Sequence, residues 1–355
     1  MILLCGGGTG GHLMPLLAVA EQLSHGKDST HPIHFVGSRQ RAERELVEKA
    51  GYAFHAIFAG KWRRYFSLRN VGDVFLSGLG FCQSWRLLRR LRPRVVLAKG
   101  GYVTLPLAIA AWCQRIPIIV HESDSVPGWS NRLLGKLAQR IITAYPTAAS
   151  GFAASKVVML GNPIRQQILH GKKVAGLKWL GFNDQQPVLL IMGGSQGALN
   201  LNRLMAGLLP SLVKDWQIVH LTGAGKGVTF QHHNYRALDF VHGEMGDVLA
   251  ATTVAVTRAG ANSLAELADW GIPALIFPLA GSANNHQQLN ADYYSGRGAA
   301  WTFSEEVAPE VVKKQLDGLR TEPNLRARMS KAMKELAQPK AAEKVAVLVK
   351  TIANE

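Results

Sequence analysis

One local pattern occurs twice in this chain, and it restricts the fold more than any other feature. Ile2-Leu3-Leu4-Cys5 is an apolar run, followed by Gly6-Gly7-Gly8-Thr9-Gly10-Gly11-His12 and a helical stretch over 13–23, with Pro15 expected in its first turn. Val188–Met192 is a second apolar run, followed by Gly193-Gly194-Ser195-Gln196-Gly197 and another helix. A buried strand that turns through glycines into a helix is the opening unit of a parallel α/β sheet. Further apolar runs at 33–36, 95–98, 118–120, 141–143 and 157–160 supply the rest of a first sheet, and those at 217–221, 254–256 and 274–277 a second. The turn signal Gly161-Asn162-Pro163 lies between them. Residues 1–162 and 163–339 are therefore expected to form two nucleotide-fold domains, and 355 residues suffice for two cores.

The charge balance bounds the partners. Forty Lys and Arg against 24 Asp and Glu give a net charge of +16, which favours nucleic acid, an anionic membrane or phosphorylated substrates. No zinc-finger spacing, RNA-binding aromatic signature or basic heptad region occurs, so nucleic acid is not expected as a partner. The three cysteines, Cys5, Cys82 and Cys113, are too scattered for a disulfide framework or metal knuckle, and a reduced, cytoplasmic compartment is expected. The apolar start at 1–5 is too short for a signal peptide. The apolar stretch at 104–113 is broken by Gln114 and Arg115, so no transmembrane helix is expected.

Four constellations carry chemistry. The 6–12 loop has five glycines in six positions, which lets the backbone approach a ligand, and the helix start that follows offers N–H groups and a positive dipole end to a phosphate. It also satisfies G-x-G-x-x-G through Gly6, Gly8 and Gly11, but Phe35-Val36-Gly37-Ser38-Arg39 offers no acid for a ribose, which argues against a dinucleotide oxidoreductase. The 193–198 loop repeats the arrangement, with the Ser195 hydroxyl as an added donor. In Arg258-Ala259-Gly260-Ala261-Asn262-Ser263-Leu264-Ala265-Glu266, small residues at a helix start suit a diphosphate, and Glu266 can accept from a ribose diol or simply complement the helix dipole. Arg258 reads as either a phosphate contact or a helix-flanking surface charge. His286-Gln287-Gln288-Leu289-Asn290 suits sugar hydroxyls or a polar helix start. No D-x-D pair occurs, so helix ends and Arg165 are expected to supply the positive field, and no essential metal or other cofactor is expected.

In order and spacing, these motifs, with Gly100-Gly101-Tyr102, His121-Glu122 and Gly161-Asn162-Pro163-Ile164-Arg165, resemble the peripheral-membrane N-acetylglucosaminyltransferases that act on undecaprenyl-diphospho-N-acetylmuramoyl-pentapeptide. The resemblance spans the chain. It implies a GT-B fold, two Rossmann-like parallel-sheet domains facing each other across a cleft, with a C-terminal helix at about 340–355 packing back on the first. It implies inverting transfer of N-acetylglucosamine from UDP-N-acetylglucosamine to the muramoyl C4 hydroxyl, forming a β1→4 bond. Glu266 would hold the ribose and Phe240-Val241 would flank the uracil. Ser195, Ala261, Asn262, Ser263 and Arg165 would contact the phosphates or sugar, and His286, Gln287 and Gln288 the sugar. Thr9, Gly10, Gly11 and Asp124 would also reach the donor. Gly8, Gly10, His12, Gly101 and Tyr102, with Thr9, would face the acceptor, and His12 or Glu122 would be the base. One position departs from the family: the run His-Glu-Gln-Asn is here His121-Glu122-Ser123-Asp124, and Asp124 can accept from a sugar hydroxyl but cannot donate as an amide does.

Lys61-Trp62-Arg63-Arg64-Tyr65-Phe66 and the 75–90 run, with Trp85-Arg86-Leu87-Leu88-Arg89-Arg90, mix aromatics with arginines. Such faces bind anionic lipid surfaces without spanning them, although an amphipathic helix with a core-facing side gives the same pattern. The expected location is the cytoplasmic face of the plasma membrane, with other cell-wall synthesis proteins as further partners. Two other readings fit the same loops: a UDP-N-acetylglucosamine epimerase of this fold, and a nucleotide-sugar-binding module without turnover.

Overall fold

A computed structural model describes residues 1–8, 10–25, 31–60, 69–194 and 198–355. Its packing separates two compact units, Met1–Arg165 with Lys340–Glu355, and Gln166–Pro339.

The first unit is built on seven strands: β1 Ile2–Cys5, β2 Ile33–Gly37, β3 Ala53–Ala56, β4 Val95–Ala98, β5 Ile118–Glu122, β6 Arg140–Thr143 and β7 Val157–Met159. All pair in parallel, in the order β3-β2-β1-β4-β5-β6-β7. Parallel strands carry helices on both faces, so the inner strands are apolar on every residue rather than on alternate ones. Their period of two still sorts the side chains. Ile2, Leu4, Val95 and Leu97 pack on one face, while Leu3, Cys5, Val96 and Ala98 pack on the other. The first face is covered by the helices Gly10–Ser24 and Ala341–Asn354. Val345, Val349 and Ile352, at helical spacing, bury that last helix against Leu13, Leu16 and Leu17, and the Arg94 guanidinium donates to the Ala353 carbonyl at 3.2 Å. The helix Gly10–Ser24 begins earlier than the sequence suggests, which moves Pro15 from the first turn into the second.

The second unit has six strands: β8 Val188–Met192, β9 Gln217–Leu221, β10 Tyr235–Leu238, β11 Thr252–Thr257, β12 Ala274–Ile276 and β13 Ala300–Thr302. These also pair in parallel, in the order β10-β9-β8-β11-β12-β13. One of its faces packs Leu189, Ile191, Val254 and Val256 against Leu201 and Met205 of the helix Leu199–Leu212 and Val312 and Leu316 of the helix Pro309–Thr321.

Both sheets reverse direction of travel at one place, between β1 and β4 in the first and between β8 and β11 in the second. Ligands of open parallel sheets bind outside the carboxyl ends of the strands at such switch points. Cys5 lies opposite Ala98, and Met192 opposite Thr257, so each switch point gathers the two loops that follow those residues. The described residues of the motifs at 6–12 and 100–102 therefore come together at one sheet end in the first unit, and Gly193 and Gly194 come together with the motif at 258–266 in the second.

Candidate functional site

In the first unit the glycines are required by contact. Gly100 and Gly101 have φ of +88° and +85°, conformations that side chains rarely adopt. A Cβ on Gly101 would stand 2.8 Å from the Gly7 carbonyl oxygen, and one on Gly100 would stand 2.7 Å from Asn131 Oδ1. The same Gly101 position is 3.7 Å from His12 Nε2, and a Cβ on Gly8 would be 3.1 Å from the Tyr102 ring. Gly8, Gly10, Gly11, His12, Gly101 and Tyr102 thus belong to one locality. Thr9 lies outside the described residues.

Glu43 holds this loop. Its carboxylate accepts from Gly8 N at 2.6 Å and from Ser38 N at 2.8 Å, and only 4% of the residue is exposed. Nothing in Arg41-Ala42-Glu43-Arg44-Glu45 separates this glutamate from its solvated neighbours; only the fold turns it inward.

Glu122 ends β5 and is buried. Its two oxygens accept from Asp124 N at 3.0 Å, Gly128 N at 2.9 Å and Asn131 Nδ2 at 2.9 Å. Burial and the neighbouring Asp124 push its carboxyl above the ordinary value, against the pull of those three donors. Its neighbour His121 is buried as well, and its Nε2–H donates to the Gly161 carbonyl at 3.0 Å. His12 is half-buried. Burial, followed by the nearby Lys99 charge and opposed by Asp124, brings its imidazole down to about 4, so it is neutral at pH 7. A neutral imidazole beside a phosphate-receptive loop can take a proton from a hydroxyl. Arg165 is the last residue of this unit's first segment, and its Nε is buried without a hydrogen-bond partner among the described residues.

In the second unit Gly260 (φ −71°, ψ 129°) caps the helix Ala261–Trp270, whose first N–H groups open at the switch point. Leu264, Leu267 and Ala268 face the core, which leaves Asn262, Ser263 and Glu266, one turn apart, along the outer side. A diphosphate on the helix end and a diol one turn further in fit this spacing. The helix His286–Ser295 is tied to the same place, since the buried Asn290 donates to the Ala259 carbonyl at 3.0 Å. Two asparagines in left-handed backbone, Asn284 and Asn285, both at φ 54°, turn the chain into that helix. Gln287 Oε1 accepts from Leu279 N at 2.9 Å, His286 Nδ1–H donates to the Ala283 carbonyl at 2.6 Å, and Gln288 donates to Asp292 at 2.8 Å. Phe240, 46% exposed, and Val241 follow β10, the edge strand of the same sheet. Ser195 lies outside the described residues.

Arg258 is not the helix-flanking surface charge that its sequence context allows. It is buried, donates to the Phe277 carbonyl at 3.1 Å and forms an ion pair with Glu305. Its charge is committed inside the unit, joining β11 to β12 and to the loop after β13.

Residues 2–143 match the glycosyltransferase family 28 N-terminal domain and residues 188–345 match its C-terminal domain, which makes this protein a glycosyltransferase. A UDP-N-acetylglucosamine–N-acetylmuramyl-(pentapeptide) pyrophosphoryl-undecaprenol N-acetylglucosamine transferase of Lachnoclostridium phytofermentans is 39% identical over 309 residues, 86% of each chain. The enzyme of that name from Legionella pneumophila is 34% identical over 99% of this chain and 97% of its own. The chain belongs to that transferase family. The crystal structure of Acinetobacter baumannii MurG matches with a TM-score of 0.74 at 25% identity, over 99% of each chain. A UDP-GlcNAc 2-epimerase from Neisseria meningitidis shares the fold, with a TM-score of 0.69, at 15% identity over 99% of this chain and all of its own.

Proposed function

We propose that the protein transfers N-acetylglucosamine from UDP-N-acetylglucosamine to the C4 hydroxyl of undecaprenyl-diphosphate-linked N-acetylmuramoyl-pentapeptide, with inversion at the anomeric carbon, in peptidoglycan synthesis. The observation that carries this reading is the position of the two motif sets, each at the switch point of its own sheet, in a chain related along its length to transferases of that name. The donor's diphosphate lies on the N-terminus of the helix Ala261–Trp270 and its ribose on Glu266, with Phe240 and Val241 beside the base. Asn262, Ser263, Ser195, His286, Gln287 and Gln288 complete the donor contacts of the second unit. The acceptor lies on Gly8, Gly10, His12, Gly101 and Tyr102. His12 removes the C4 hydroxyl proton as the new C–O bond forms and UDP departs with the electrons of the old one. Glu122 shapes the loop instead, because its oxygens are already taken up by three N–H donors. Helix N-termini supply the positive field at the leaving diphosphate.

Glu266→Ala removes the acceptor for two ribose hydroxyls and is expected to weaken UDP-N-acetylglucosamine binding by about 1–3 kcal/mol. Titration of the donor by calorimetry measures this, and wild-type affinity in the variant would remove the ribose from Glu266.

The lipid-linked acceptor requires a membrane-facing surface on the first unit. Support comes from the helix Arg69–Leu91, where Val74, Phe75 and Leu79 are exposed, Phe75 at 72%, with exposed Arg86, Arg89 and Arg90 further along. Trp85 is half-buried and Leu87 and Leu88 are core, so the last turns contribute charge and the first turns contribute apolar contact. The run at 61–66 lies outside the described residues. No helix among the described residues is long and apolar enough to cross a membrane. Basic residues near an anionic surface contribute about 1 kcal/mol each. Replacing Phe75, Leu79, Arg89 and Arg90 by glutamate is expected to abolish sedimentation with anionic vesicles and leave donor binding intact. Undiminished sedimentation would place the membrane surface elsewhere.

A further inference from the structure

The second unit holds a buried histidine that the reaction described above does not use. His220 lies in β9, fully buried, and β9 runs between β8 and β10. Leu221 stands opposite Met192 on one side and opposite Leu238 on the other. The chain that leaves β9, Thr222-Gly223-Ala224-Gly225-Lys226, therefore emerges between Gly193 and Asp239 at the carboxyl end of the sheet. Thr222 N ties its start to β10 by donating to the Leu238 carbonyl at 3.0 Å, and Lys226 N closes a turn on the Gly223 carbonyl at 3.1 Å.

One side-chain amide grips both ends of this turn. Asn202, buried on the helix Leu199–Leu212, donates from Nδ2 to the Thr222 carbonyl at 3.0 Å and to the Lys226 carbonyl at 3.1 Å. Carbonyl oxygens only accept, so the orientation of the amide is fixed and its Oδ1 is left as an acceptor. His220 Nε2–H donates to that oxygen at 3.1 Å, which leaves Nδ1 to accept from the Tyr235 hydroxyl at 3.0 Å. Every bond in the series thus runs one way, from Tyr235 through His220 and Asn202 to the turn. The series needs a neutral imidazole, and burial brings His220 down to about 4, so it is neutral at pH 7.

We propose that His220 is a positioning residue for the nucleotide-sugar donor: by orienting the Asn202 amide it holds the turn at 222–226 in place, between the Gly193-Gly194 loop and Phe240-Val241. In the donor site proposed above, on which this role rests, the diphosphate lies on the helix that follows β11 and the base lies beyond β10. A nucleotide spanning those two places crosses the end of β9, so the turn forms the floor beneath it. A floor fixed beforehand by buried bonds has no ordering cost to meet when the donor arrives. His220 touches no ligand; its effect passes through Asn202 and the turn.

Three substitutions test this. His220→Leu removes both ring nitrogens, His220→Gln keeps an N–H for Asn202 and an oxygen for Tyr235, and Tyr235→Phe removes only the donor that fixes the tautomer. Hydrogen exchange of the amides at 222–226 and calorimetric titration with UDP are measured on all three and on the parent. His220→Leu is expected to speed exchange in that turn and to weaken UDP binding by about 5–50-fold, since a buried amide is left without its partner. The KM for UDP-N-acetylglucosamine rises by the same factor while kcat stays within about 3-fold, the mark of lost ground-state binding. Tyr235→Phe shows the same changes at smaller size, and His220→Gln recovers most of the parental exchange and affinity. A lower thermal midpoint in His220→Leu with parental UDP affinity would make the series a core network alone and overturn the positioning role. If that variant does not fold, Tyr235→Phe decides between the same two outcomes. If the parent itself binds no UDP, the proposed function fails and exchange alone decides: a faster turn in His220→Leu supports the tether, and an unchanged one overturns it.

Discussion

Replacing His12 by alanine is expected to lower kcat by about 10²–10⁴-fold, the usual contribution of a positioned base, while donor affinity changes little. The imidazole stands beside Gly101 at the start of the helix Gly10–Ser24, where the acceptor's sugar would rest. The form that acts as a base is the neutral one. Because burial and Lys99 hold its pKa at about 4, that form persists across the neutral range and is lost only as the pH falls through this value. The acid limb of kcat/KM, which reports the free enzyme, should then lie well below an unperturbed histidine's pKa of about 6.5 and disappear in His12→Ala. Glu122→Gln serves as the contrast. An amide cannot accept on both sides as the carboxylate does, so that variant should lose thermal stability together with activity. A His12→Ala enzyme with near-parental kcat would remove His12 from the chemistry.

Arg258→Ala is expected to cost the second unit about 3–5 kcal/mol, because it strands Glu305 and leaves the Phe277 carbonyl without its guanidinium donor. The signature is a fall in the thermal midpoint of the unliganded protein, partly recovered when Glu305 is also replaced by a neutral residue of similar size. A phosphate contact would behave differently, with parental stability and weakened donor binding. That second outcome would mean that the ion pair opens when donor binds and that Arg258 is a ligand after all.

Arg258 also marks where sequence reading stops. Its ion-pair partner is 47 residues away, and no spacing rule links them. The apolar runs that became inner strands were legible because strands covered on both faces are apolar throughout. The three strands without such a signal, β3 Ala-Phe-His-Ala, β10 Tyr-Arg-Ala-Leu and β13 Ala-Trp-Thr, are all sheet edges, where burial is incomplete and mixed residues suffice. Gly100 and Gly101 stand where positive φ and close contacts exclude a side chain, which is the requirement a run of glycines signals. The group that holds the first glycine loop was not legible. Glu43 sits among charged neighbours on an amphipathic helix, so only the assembled sheet gives it a role.

Transfer itself is directly measurable. Incubating the protein with radiolabelled UDP-N-acetylglucosamine and undecaprenyl-diphosphate-linked muramoyl-pentapeptide, with a metal chelator present throughout, measures it directly. Label is expected in the lipid phase, in a β1→4-linked disaccharide, at a rate the chelator does not reduce. Label that stays in the aqueous phase, as unchanged donor or as its epimer, would contradict it.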